Sequence, residues 1–364
     1  MKKTIVTLFA LIVLLMGLPL AGVSLFGLPV GRYLEFPPRT QFVQHTPFSW
    51  SAFVVYGVLI VAVMSPFIIR AVRATRRDDG VERSGRRFPW WGWTGVACGV
   101  ASWVLAWTRF SWFSTFQPHT FTPLWLSFIV TVNALSYKRK ARCMMTHNRA
   151  FFLALFPISA AFWWLFEYLN RFVQNWHYAG VNFGAFQYGL FASISFSTVL
   201  PAVLGVQELV LTFGWVQRGF VRWVSLPAVR SKTWALGGLI GAGLALFGIG
   251  IFPNALFSML WVAPLLIIIS IQILMGEIHV VWGLADGDWR EAISAACAAL
   301  ICGWFWEMWN YWSLAKWHYT VPLVDRFHVF EMPILGYAGY LPFGIECAAV
   351  GALVCRGLRI SPTV

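Results

Sequence analysis

The sequence predicts an all-α fold: a polytopic transmembrane helical bundle of about ten spans, with a parallel repeat of a helical hairpin over residues 151–214 and 291–355. Three observations carry that prediction. Of the 364 residues, 59% are apolar and only 11% charged, against about 25% charged in a soluble domain. Apolar runs of about 20 residues, the length that crosses a bilayer, recur along nearly the whole chain. A polar signature, Glu-x-x-Asn followed by Trp-His-Tyr, occurs twice, as EYLNRFVQNWHY (167–178) and EMWNYWSLAKWHY (307–319).

The spans fall near 4–27, 51–70, 90–108, 121–137, 151–169, 187–214, 233–252, 255–275, 291–312 and 338–355. The first opens like a signal peptide, but its apolar stretch outruns the roughly 7–15 residues of a signal core, so it reads as an uncleaved span. Residues 1–150 hold four spans and no copy of the signature; residues 151–364 hold six spans and both copies. In the seventh span, Gly237 and Gly241 stand at GxxxG spacing, which predicts close helix packing there. Beyond the second signature, TVPLVDRFHVFEMPILGYAGYLPFGIE carries Pro322, Pro333 and Pro342, so it does not continue as one regular helix. It is expected to fold back over a cavity between helices, where irregular backbone is tolerated. An even number of helices separates the copies, so both enter from one side, unlike the inverted repeats of many transporters.

The net charge of +13 is a topology signal rather than a nucleic-acid signal. With a cytoplasmic N-terminus, the inner segments collect Lys2, Lys3, the arginines of IIRAVRATRRDDGVERSGRR, the KRKAR cluster and Arg149. They also hold QRGFVR, Arg230, Lys232, Arg290, Arg356 and Arg359. Only Arg32, Arg39, Arg109, Arg171, Lys316 and Arg326 are left outside. This bias follows the positive-inside rule, with anionic lipid contact as a by-product. It places the chain in a bacterial-type cytoplasmic membrane, termini inside and both Trp-His-Tyr motifs on the outer face. None of the six cysteines falls in an outer loop, so no disulfide framework is implied.

The two copies define the candidate site. Glu167 with Asn170, and Glu307 with Asn310, share one helix face a turn apart. Trp176, His177 and Tyr178, and Trp317, His318 and Tyr319, follow outside. Tryptophan and tyrosine concentrate at membrane interfaces, which accounts for single aromatics but not for a histidine between them twice. A carboxyl within a span costs about 2.5–3.5 kcal/mol on insertion scales and marks a cavity, a partner or a proton path. Glu167 has Arg171 four residues on, an available ion-pair partner; copy two has Tyr311 there and adds Glu346 inside the tenth span. Copy two is therefore the candidate for chemistry. Its catalytic set is Glu307, Glu346, Asn310, His318 and Tyr319, and Trp306, Trp309 and Trp317 line the pocket. Glu167, Asn170, Trp176, His177 and Tyr178 complete the opposite, substrate-binding wall. A protonated carboxyl amid aromatic rings suits a general acid, and the ring faces suit a developing cation. His177, His318, His328 and Glu331 are suitable metal-ligand types, but no pair has a metal-motif spacing, so no cofactor is expected.

Trp306-Glu307, Trp317-His318-Tyr319 and the stretch from Gly336 to Glu346 together resemble integral-membrane lycopene cyclases and the related carotenoid hydratases. The likeness covers residues 303–350. It departs from the cyclases' Pro-x-Glu-Glu, because Pro342 precedes a single Glu346 by four, and Asn310 follows the first acid. The resemblance implies a membrane acid that protonates a double bond of a polyene or other isoprenoid. Three function classes follow: an intramembrane enzyme acting on a hydrophobic small molecule from the membrane lipid; a proton- or cation-coupled transporter or channel; and a non-catalytic scaffold subunit.

Overall fold

The computed structural model describes residues 2–76 and 86–359; Arg77 and Arg83 of the basic cluster lie outside the described residues. Helices follow the apolar runs in order. They are α1 (Lys2–Leu25), α2 (Trp50–Arg76), α3 (Trp90–Trp107), α4 (Phe121–Lys140), α5 (Arg149–Val173), α6 (Ala185–Phe196) and α7 (Val199–Val210). Then come α8 (Lys232–Gly248), α9 (Met259–Leu274), α10 (Arg290–Tyr311) and α11 (Tyr340–Gly357). Among the described residues, five segments are long and apolar enough to cross a membrane: Trp50–Arg76, Arg149–Val173, Ala185–Val210, Arg290–Tyr311 and Ile334–Gly357. Phe9–Leu25, α8 and α9 are shorter apolar helices. α2 has no buried residue and exposes Val54, Val55, Val58, Leu59 and Val61. A water-facing helix of this kind would be an aggregation site, whereas in lipid its internally satisfied backbone suits it. The fold is mostly helical, with several apolar helices that suit a membrane.

The connections gather at two ends. At one, residues 26–49 reach the loop around Asn254, whose Oδ1 accepts from the Thr46 N–H at 3.1 Å, and the Arg109 guanidinium donates to the Trp312 carbonyl at 2.8 Å. At the other, Arg139 donates to Thr212 and Arg356 pairs with Glu277 at 2.7 Å. The first end carries what little sheet there is: β1 (Trp176–Ala179) against β2 (Lys316–Tyr319), and β3 (His328–Val329) against β4 (Met332–Pro333). Among the described residues the loops at this end thus close with two short antiparallel ladders, which satisfy backbone groups that no helix holds.

α7 is the centre of the molecule, buried along nearly its whole length from Val199 to Gln207 and again at Val210, and it packs on α4, α5, α10 and α11. The helix breaks at Ser197–Thr198, between α6 and α7, and Ser159 of α5 stitches the gap. Its hydroxyl donates to the Phe196 carbonyl at 2.6 Å and accepts from the Leu200 N–H at 3.0 Å. In an apolar interior a freed backbone pair needs such a partner.

Close helix approach occurs, but not at the expected GxxxG. Gly237 and Gly241 face open space, whereas a Cβ on the neighbouring Gly238 would stand 3.1 Å from Ser270 Oγ. The tight crossings lie between α1 and α8, where a Cβ on Gly22 would sit 1.8 Å from the Phe247 carbonyl oxygen, and between α11 and α10, where one on Gly344 would sit 2.1 Å from the Ala295 carbonyl oxygen. The GxxxG spacing shows two glycines sharing a face; it does not show which face meets a neighbour.

Candidate functional site

The repeated signature is a hydrogen-bonding device that docks each strand onto the helix before it. Asn170 Nδ2 donates to the Trp176 carbonyl at 2.8 Å, and its Oδ1 accepts the Trp176 N–H at 3.4 Å. Asn310 does the same for Trp317, at 2.8 and 2.9 Å. Both amides are buried, and each ties the backbone of its tryptophan to the preceding helix. The strands then pair antiparallel with Trp176 opposite Tyr319, His177 opposite His318 and Tyr178 opposite Trp317. Side chains alternate along a strand, so Trp and Tyr share the face towards the helices while His takes the other. The two histidine rings meet at 5.8 Å between centroids. That alternation is why the histidine sits between the aromatics in both copies.

Beneath the strands each glutamate collects the donors. Glu167 Oε1 accepts from Trp163 Nε1 at 3.1 Å, Trp176 Nε1 at 3.1 Å and the Tyr178 hydroxyl at 2.6 Å. Glu307 Oε1 accepts from the Tyr319 and Tyr340 hydroxyls, both at 2.7 Å, and Trp317 Nε1 donates to the Tyr319 oxygen at 2.9 Å. Desolvation first, and the adjacent carboxyl second, push the Tyr178 and Tyr319 hydroxyls well above the usual tyrosine range, so both remain donors. Tyr340 is a site residue that the sequence reading missed. Aligning the copies at their glutamates sets Gly303 where copy one has Trp163, and the Tyr340 ring fills that space, with Cε2 2.4 Å from where a Cβ would stand. The missing indole donor was the available signal.

The expected Glu167–Arg171 ion pair does not form. Arg171 turns to Glu35 of the 26–49 strap at 3.1 Å and to the Arg32 carbonyl at 2.8 Å, because those acceptors lie above the helix end whereas Glu167 already holds three donors. Glu167 lines a cavity of about 260 Å³ at the strand end with Arg39, Arg171, His177, Tyr178 and Tyr188. Glu307 is fully buried and does not line that cavity. Trp163 separates them, its ring 6.2 Å from Trp306 and 5.8 Å from Phe343. The two copies therefore form adjoining sites rather than two walls of one pocket.

Around Glu307 the rings close in. Trp306 stacks on Tyr340 at 6.0 Å and lies 4.9 Å from Trp125; Trp309 packs on Trp125 at 5.3 Å. Glu307 Oε2 is buried without a partner, as are both carboxyl oxygens of Glu346, which is fully buried on α11. Six residues separate Tyr340 from Glu346, placing Glu346 about 9 Å deeper along the helix. Beside Tyr340, at 6.0 Å between rings, Tyr337 lines an apolar groove of about 410 Å³ with Leu300, Ile301, Trp304, Val329 and Ile334.

Among the described residues no three His, Cys, Asp or Glu side chains gather as metal ligands. His318 Nδ1 is bonded to Glu331 at 3.1 Å, and His328 to Asp325 at 2.9 Å. Burial pushes the Glu331 carboxyl up, but Lys316 and His318 outweigh it and hold it below the usual range. Burial, with His318 opposite, holds the His177 ring below its ordinary value. No family description, curated protein or solved structure matches this chain.

Proposed function

We propose that the protein is an intramembrane enzyme that works by acid/base chemistry on an isoprenoid or other lipid substrate. The observation that carries this reading is the pair of buried carboxyls: of the four oxygens of Glu307 and Glu346, only Glu307 Oε1 has partners. Buried polar atoms find partners with few exceptions, and an exception asks for a function. Glu346 gives its O–H proton to one carbon of a double bond, and the adjacent carbon becomes cationic beside the Trp306 and Phe343 rings. That cation loses a proton to a carboxylate, or is captured by water that returns one. Glu307, oriented by Tyr319 and Tyr340, is the second proton carrier. Asn310 positions Trp317 and Tyr319 by anchoring β2. The apolar groove ending on Tyr337 is the route from the bilayer.

The same reading assigns ten crossings, a parallel duplication over 151–214 and 291–355, and the strand end to the outer face of a cytoplasmic membrane. It makes residues 1–150 the frame and 151–364 the working part. No cofactor is invoked.

Mass spectrometry of lipid extracts from cells making wild type, Glu307→Gln or Glu346→Gln, at matched protein levels, tests the chemistry. A species made or consumed only by wild type is expected. Identical extracts from a host rich in isoprenoids would overturn it in favour of transport, a reading with one observation of its own. The segment after the strand is interrupted in mid-span at Ser197–Thr198 in copy one and opens with the 3-10 turn Ile334–Gly339 in copy two, and transporter half-helices are likewise interrupted.

A further inference from the structure

The strand-end cavity over copy one is a second site, separate from the chemistry at Glu307 and Glu346. Its polar groups are not consumed by the fold. Arg171 is buried, and its Nε has no partner although its terminal nitrogens hold the strap. The Tyr188 hydroxyl is likewise buried without a partner. Glu167 takes all three of its donors on Oε1, which leaves Oε2 for a ligand. At the mouth Arg39 is exposed, donating to the Phe183 carbonyl at 3.0 Å. The cavity thus offers a carboxyl on one side and cationic and hydroxyl donors on the other. Glu167 and Arg171 are four apart on α5, which sets their Cβ atoms about 5–6 Å apart, and they do not pair with each other.

We propose that this cavity binds a zwitterion of the phosphoethanolamine type. Its ammonium lies at Glu167 Oε2 against the Trp176 and Tyr178 rings, and its phosphate accepts from Arg171 Nε, the Tyr188 hydroxyl and Arg39. The volume of about 260 Å³ corresponds to roughly eight or nine groups of water size at ~30 Å³ each, the size of such a headgroup. The surroundings favour a lipid as its source. Phe186, Leu190 and Ile194 are exposed at successive helical turns of α6, forming an apolar track for an acyl chain below the rim. Phe36, exposed at the rim, packs on Tyr188 at 5.6 Å.

The full-length protein, purified in detergent, is titrated with phosphatidylethanolamine, phosphatidylglycerol and free phosphoethanolamine, and bound ligand is read by native mass spectrometry. Phosphatidylethanolamine is expected to bind at least about tenfold tighter than phosphatidylglycerol, the worth of one charge-assisted hydrogen bond. Glu167→Gln should abolish that preference. Tyr188→Phe should weaken phosphatidylethanolamine binding about tenfold, and it removes a hydroxyl that serves no fold contact. Displacement of the lipid by equimolar free phosphoethanolamine identifies a soluble zwitterion as the ligand; retention of the lipid identifies the headgroup; either supports the site. Equal binding of the two lipids, no binding of any probe, or an unchanged affinity in both variants overturns it.

Discussion

At the residue scale, Glu307 and Glu167 solve one problem with different donors. Copy one uses the Trp163 indole; copy two removes that side chain and lets Tyr340 of α11 occupy the space above Gly303, bonding Glu307 at 2.7 Å. Two consequences follow. Tyr340→Phe leaves the ring in place and deletes one of the two donors to a buried carboxyl, a loss of about 1–3 kcal/mol that thermal unfolding in detergent would register as a lowered Tm. Gly303→Ala drives a methyl into the ring and is expected to destabilise as well. Because the two positions share one space, Gly303→Ala combined with Tyr340→Ala should be less harmful than the sum of the single changes. An additive pair would mean that Gly303 is small for some other reason. The glutamates were legible in the sequence because carboxyls are rare within apolar runs. Tyr340 was not, because nothing within one segment tells a tyrosine that bonds a distant carboxyl from one that merely sits at an interface.

At the element scale, β1 and β2 depend on the helices that precede them. A ladder of four residues per strand is too short to stand alone, and Asn170 and Asn310 supply the missing anchorage through two bonds each. Asn310→Ala leaves the half-buried Trp317 N–H and C=O without that partner, at about 1–3 kcal/mol, and frees Tyr319 from its place on Glu307. Hydrogen exchange at Trp317 and Tyr319 is expected to accelerate while the middle of α10 stays protected. Uniform acceleration along α10 would show that the asparagine supports the whole helix instead. Apolar run length located helices, to within a residue at Arg290–Tyr311, but stopped six residues short at the end of Trp50–Arg76. The strands could not be located from the sequence, because Trp-His-Tyr is too short to display a period and acquires one only when paired across the molecule. The strap of residues 26–49 was equally hidden. It has almost no regular structure, and its role is set by partners such as Gln174, whose Oε1 accepts from the Phe42 and Val43 N–H groups at 2.7 and 2.8 Å.

At the scale of the whole molecule, the two ends differ in how many cations their loops carry. The end opposite the strands is held by cationic side chains, with Arg139 on Thr212, Arg356 on Glu277 and Arg290 on Asp288. The strand end has ion pairs of its own, Arg171 with Glu35 and Lys316 with Glu331, beside the amides Gln174, Asn175 and Asn254. A cation-rich end held in the cytoplasm and a cation-poor end that crosses is the arrangement the positive-inside rule favours. On the proposed topology Asn182, at the strand end, and His147, at the other, are expected on opposite sides of the membrane. With Cys98, the exposed cysteine, changed to alanine, Asn182→Cys should react with a membrane-impermeant thiol reagent added to intact cells. His147→Cys should react only after the membrane is opened. Labelling of both in intact cells would break the parity on which ten crossings rest. Labelling of His147→Cys alone would invert the protein and place the Glu167 cavity and the groove above Tyr340 on the cytoplasmic leaflet, where a different pool of lipid would meet them.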